Sequence, residues 1–115
     1  MPYSSSLLCQ DLMTFLDEKK ASDIHSINLK EKSSLADSLI IATGTSQKHI
    51  QALAAYVQKY IKDKKISPCR VEGDSHSDWV IIDIGDILIH LFTNQSRQLY
   101  DLEKIWDSPL QEPKA

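Results

Sequence analysis

The sequence predicts an α/β fold, one mixed β-sheet flanked by helices, and three observations carry that reading. Residues 36–44, ADSLIIATG, form a short and almost continuously apolar run that a strongly amphipathic helical pattern follows at once, as in a crossover unit. Residues 78–92, DWVIIDIGDILIHLF, form a second apolar run that Gly85-Asp86 breaks in the manner of a hairpin turn. The chain has 115 residues, enough for one sizeable core and too few for two. The expected organisation is a single domain over residues 1–107, with SPLQEPKA at 108–115 a loose tail.

The elements follow in order. SLLCQDLMTFLDEKKA, residues 6–21, reads as a first helix, because Leu8, Leu12, Phe15 and Leu16 repeat at helical spacing behind serines that can cap it. DIHSINL is β-compatible, with Ile27 and Leu29 on one face. KEKSS is a polar turn before the strand ADSLIIATG, which stops at Gly44. SQKHIQALAAYVQKYIKDKK is the clearest helix, with Ile50, Leu53, Ala54, Val57 and Ile61 on one face. Its C-terminal lysines suit the helix dipole, and Pro68 prevents continuation. Residues 69–72 suit a short strand. Two strands then flank the Gly85 turn, and RQLYDLEKIW forms a last helix with Leu99, Leu102, Ile105 and Trp106 inward and Asn94 or Ser96 as cap. A helix between β-runs predicts a parallel pair, and the hairpin makes the rest antiparallel.

Composition narrows function. Hydrophobic residues make up 42% and charged residues 25%, which fits a soluble globular protein. No apolar run reaches the roughly 18 residues of a membrane-span candidate. The N-terminus MPYSSSLLCQ has neither a basic n-region nor an Arg-rich transit pattern, so a cytoplasmic protein is expected. Cys9 and Cys69 lie far apart without a CxxC, as reduced thiols do. A net charge of −3 lacks the basic footprint of a nucleic-acid binder and suits a basic protein partner, including one inside a nucleoprotein particle.

Two constellations invite chemistry. ATGTS, residues 42–46, is a strand-to-helix turn that could cradle phosphate, yet it lacks a P-loop's GK[ST]. Its plainer reading gives Gly44 the backbone freedom and Thr45 or Ser46 the helix cap. Asp83, Asp86 and His90 resemble a metal or acid–base set, but their spacing scatters them about a turn. The economical roles are local: Asp86 accepts turn hydrogen bonds, and His90 pairs with a carboxylate or carbonyl in the sheet. No metal, cofactor or catalytic residue is assigned. Trp79 stands at a loop-to-strand rim, where a core ring and an interface anchor are both open readings that periodicity does not decide.

IIATGTSQKHIQALA, VEGDSHSDWVIIDIGDILIHLF and SRQLYDLEKIW together resemble the ribosomal silencing factor family, the Iojap-related proteins, in its order and spacing. That resemblance implies a nucleotidyltransferase-like fold without the activity, since no D-x-D pair follows the turn. It implies a translational repressor that binds the large ribosomal subunit through its fourteenth protein. The same resemblance implies that it blocks joining of the small subunit when nutrients are short. Trp79 matches the family's contact tryptophan; Ile81, Asp83, Gly85 and Asp86 match the adjoining motif, and His90, Arg97, Tyr100, Asp101 and Glu103 its end. Trp79, Ile81, Asp83, Asp86, His90, Arg97 and Tyr100 are therefore the expected partner-binding residues. Asp74 and Asp78 could steer toward a basic ribosomal surface. The chain departs from the pattern at Ser38 and Leu39, where an aromatic pair is common, and at Ile84 before GD. Little direct nucleic-acid contact, no membrane and a possible homodimer of the free protein complete the expectation. The rival roles are a large-subunit assembly helper and a nucleotidyl-transfer enzyme built on ATGTS with Asp83 and Asp86.

Overall fold

A computed structural model describes residues 5–29, 36–66, 69–73 and 76–95. In chain order these hold α1 (Ser5–Glu18), β1 (Ser22–Asn28), β2 (Ser38–Gly44), α2 (Gln47–Asp63), β3 (Arg70–Glu72), β4 (Trp79–Asp83) and β5 (Ile87–Thr93). The strands form one sheet in the order β1-β2-β5-β4-β3. β2 and β5 run parallel from Ser38↔Ile87 to Gly44↔Thr93, and every other pair is antiparallel. The connection between the parallel strands passes through α2, as the amphipathic run after Gly44 predicts.

Alternation along the strands sends side chains to two distinct cores. On one face Ile40, Ala42, Val80, Ile82, Ile89 and Leu91 meet the buried stripes of both helices, Leu8, Leu12 and Leu16 from α1 and Ile50, Leu53, Val57 and Ile61 from α2. Each of the leucine, isoleucine and valine side chains, taken fully from water, contributes roughly 1.5–3 kcal/mol before entropy is counted. On the other face Ile27, Leu29, Ala36, Leu39, Ile41 and Phe92 form a second cluster, with Trp79 and Leu88 packed against it. Neither described helix contributes to this second cluster.

The helix boundaries depart from the expected ones. α1 ends at Glu18 and α2 at Asp63, each shorter at its C-terminus than its lysine-rich run suggests. Lys20 and Lys65 adopt left-handed backbone, at φ 74° and 57°. The following N–H groups of Ala21 and Ile66 reach back to the Leu16 and Ile61 carbonyls at 3.0 and 3.1 Å. This is the helix-ending arrangement that usually carries glycine, here built on lysine.

Ser46 is the N-cap of α2 and accepts the His49 N–H at 3.1 Å. Gly44 serves a different purpose from the expected one: its backbone is not left-handed, but an added Cβ would lie 2.6 Å from Ile50 Cγ2. Close approach of α2 to the end of β2, rather than conformational freedom, requires glycine there. His49 clips the same junction to α1. Its Nδ1 accepts the Thr45 N–H at 2.9 Å, and its Nε2 stands 3.1 Å from the Lys19 carbonyl. Both cysteines are free thiols, and burial is the main cause that pushes each thiol up from its ordinary value. The expected last helix, with Leu99, Leu102, Ile105 and Trp106, and the expected tail at 108–115 lie outside the described residues.

Candidate protein-docking interface

The β4–β5 hairpin is built outward from a two-residue turn. Ile84 N–H donates to the Ile87 carbonyl at 3.0 Å across Gly85-Asp86. Gly85 sits at φ 97°, a conformation costly for any side chain. Equal steps along both strands then pair Asp83 with Leu88, Ile81 with His90 and Trp79 with Phe92. Because strand side chains alternate, Trp79, Ile81 and Asp83 share the face of Leu88, His90 and Phe92. This is the face away from both described helices.

Trp79 is not a fully buried core ring. Its ring is half-buried and lies against the fully buried Phe92, with centroids 5.0 Å apart and planes inclined at 28°. Its Nε1–H donates to His90 Nδ1 at 2.8 Å. The imidazole therefore accepts a hydrogen bond from the indole N–H, where its sequence neighbours suggest pairing with a carboxylate or carbonyl. An indole nitrogen is a donor alone, so His90 Nδ1 must be unprotonated and the ring proton resides on Nε2. Burial holds the imidazole in that neutral state by pushing its pKa down to about 4.

The acidic residues keep the shape of the hairpin. Asp83 accepts the Gly85 N–H at 2.9 Å, and its other oxygen stands 3.9 Å from the Arg70 guanidinium. Asp86 serves the turn through its main chain instead: its carbonyl accepts the Asp37 and Ser38 N–H groups at 2.8 and 3.1 Å. The turn carboxylate is thus Asp83 where the sequence reading places Asp86. Ile81 is half-buried beside His90, and Arg97 and Tyr100 lie outside the described residues.

The residues of the rival chemistry are not brought together. Gly44 is level with Thr93 and Asp83 with Leu88, so the ATGTS turn and these acids stand at opposite ends of the sheet, roughly 16 Å apart along the strands. The Thr45 N–H of the turn and the His49 N–H in the first turn of α2 are already taken within the chain. Among the described residues no cluster of three His, Cys, Asp or Glu side chains could hold a metal ion.

Two contributors escape sequence reading. Phe92 forms the floor under Trp79, and the hairpin register counted outward from Gly85-Asp86 was the signal that could have found it. Gln47 Nε2 donates to Asp78 Oδ1 at 2.8 Å, tying the first turn of α2 to the residue before Trp79. No short-range pattern announces that bond across the fold. Asp74 lies outside the described residues.

Comparison with known proteins agrees with this architecture. The family model described as "Ribosomal silencing factor during starvation" matches residues 2–114. Ribosomal silencing factors from Halalkalibacterium halodurans and Haemophilus influenzae are 37% and 34% identical to this chain; the matches cover 92% and 86% of it and 92% and 97% of those proteins. A mouse protein named "Mitochondrial assembly of ribosomal large subunit protein 1" is 33% identical over 83% of this chain and 43% of its own. A crystal structure from Chromobacterium violaceum superposes with a TM-score of 0.81 at 31% identity, covering 94% of this chain and 89% of that one. One from Bacillus halodurans gives 0.79 at 35% identity, covering 89% and 95%. The chain belongs to the ribosomal silencing factor family, whose members are ribosome-binding translation regulators rather than enzymes.

Proposed function

We propose that this protein represses translation by docking the sheet face opposite both described helices, centred on Trp79, onto the large ribosomal subunit. The partner there is the subunit's fourteenth protein, and occupancy of that surface keeps the small subunit from joining. The setting is the cytoplasm under nutrient limitation. The observation that carries the reading is the half-buried Trp79 ring, held in one orientation on the face opposite both described helices. A large, ordered aromatic of this kind is what concentrates binding energy in an interface. About 800 Å² per partner suffices for a specific complex, and such a patch needs no chemistry to block a second subunit. Trp79 and Ile81 form the described part of the contact surface, His90 holds Trp79 from beside it, Asp83 and Asp86 hold the turn, and the family resemblance adds Arg97 and Tyr100 as partner-binding residues. Self-association of the free protein through the same face would compete with docking.

The test is subunit joining on a density gradient with purified protein in excess. Loss of the monosome peak is the expected result, and an unchanged peak sinks the proposal. A second reading, assistance in large-subunit assembly, is favoured by the similarity to the mouse protein named for that process. Precursor large-subunit particles accumulating in unstarved cells that lack this protein would support assembly. A normal particle profile with excess translation during starvation supports silencing.

A further inference from the structure

We propose that His90 is a positioning residue for docking: it fixes the Trp79 indole against Phe92, so that Trp79 meets the partner through the carbon surface of its ring and not through its N–H. This inference rests on the docking reading above and adds the device that prepares the surface.

The geometry assigns the role. His90 and Trp79 are diagonal neighbours on one face, since His90 stands opposite Ile81 and Trp79 opposite Phe92. Diagonal neighbours are too far apart for short side chains but within reach of two rings. The bond spans that diagonal at 2.8 Å, with ring centroids 5.6 Å apart. Phe92 lies under both rings, 5.0 Å from the indole and 6.1 Å from the imidazole, each in a stacked arrangement. The indole thus rests on a floor and is tied at its polar corner by a directional bond. Rotating it about its side-chain torsions would break the bond and lift the ring from Phe92. A ring ordered before binding loses less freedom on binding, which is how preorganisation raises affinity. The indole N–H is committed inside the chain, so the partner is recognised at this point by an apolar or flat cationic group laid on the ring.

The experiment combines two readouts on the full chain. In the free protein, the Trp79 indole N–H resonance is identified by its absence in Trp79→Phe, and its solvent exchange is followed. Affinity for isolated large subunits is measured in parallel. His90→Phe keeps an aromatic ring but removes the acceptor. We expect its indole N–H to exchange at least tenfold faster and its affinity to fall at least tenfold. His90→Asn, whose amide oxygen replaces Nδ1, should recover most of both. An indole signal unmoved by His90→Phe overturns the positioning role. So does an affinity kept within twofold of the unmodified protein while Trp79→Ala loses it.

A second pair of variants holds even if His90→Phe does not fold. Trp79→Phe removes the N–H from the other side, and in that background His90→Asn should change affinity less than twofold. A further loss there means that His90 touches the partner itself, which overturns the proposal. If Trp79→Ala binds as well as the unmodified chain, the docking reading fails at its root and the inference falls with it. The free-protein resonance still separates that failure from an absent Trp79–His90 bond.

Discussion

A neutral imidazole beside an indole gives the docking face a particular response to acid. An unfolded histidine titrates near 6.5, whereas His90 in the fold titrates at about 4. Between those values the unfolded chain binds the additional proton, so this contribution to stability is complete above pH 6.5. It declines as pH falls through the window and is gone below 4. The span corresponds to roughly 3 kcal/mol. Urea unfolding at pH 7 and pH 4.5 should show the loss, and His90→Phe should show a shallower fall over the same interval. Trp79→Ala tests the neighbouring ring. Complete burial of such a side chain makes truncation cost about 3–5 kcal/mol, so a half-buried Trp79 should cost about half of that in stability. Affinity for large subunits should fall by about 2 kcal/mol, a loss of roughly thirtyfold, beyond what partial unfolding explains. The sequence singles out this tryptophan. Its half-burial could not be read there, because that depends on the floor supplied by a residue thirteen positions later.

At the scale of elements, the junctions carry more information than the interiors. Periodicity gave α2 its buried stripe, Ile50, Leu53, Ala54, Val57 and Ile61, without error, since a face with helical spacing has one physical meaning. It placed both helix ends too late because the usual stop residue is missing. Lys20 and Lys65 occupy left-handed positions where glycine is favoured, and no composition rule flags a lysine as a terminator. Left-handed backbone costs an ordinary residue on the order of 1 kcal/mol. Lys65→Gly, at an exposed site, should therefore raise stability by about 0.5–1 kcal/mol, less what glycine adds to unfolded-state freedom. An increase in the urea midpoint at unchanged slope is the check. Gly44 predicts the opposite sign. The Cβ of Gly44→Ala would press on Ile50 Cγ2, a methyl of a β-branched side chain with little rotameric freedom, and should cost about 1–3 kcal/mol. Its sequence setting, ATGTS, looks the same whether glycine is there for phosphate, for flexibility or for close approach. The distance to Ile50 decides among them, and that distance exists once α2 is docked.

The whole molecule separates its tasks by face. Both described helices pack on one side of the sheet, and the ordered Trp79–His90–Phe92 group lies on the other. Alternation in DWVIIDIGDILIHLF makes this division possible: Val80, Ile82, Ile89 and Leu91 serve the helical core, while Trp79, Ile81 and His90 are left for the opposite face. The exposed lysines of α2 belong to the helical side. Lys59 is engaged with Asp63 at 3.1 Å, an exposed pair within one helix and worth a few tenths of a kcal/mol. Docking through the far face requires these charges to be bystanders. Replacing Lys59, Lys62 and Lys65 together by alanine should leave affinity for large subunits within about twofold at near-physiological salt, where surface charges separated by more than about 8 Å are screened. Trp79→Ala under the same conditions should lose roughly thirtyfold. The reverse pattern, strong loss with the lysine triple and none with Trp79, would place the ribosome on the helical side. Equilibrium binding to purified large subunits across a salt series distinguishes the two. Contact through lysines steepens the salt dependence, whereas contact through an ordered aromatic face leaves it shallow.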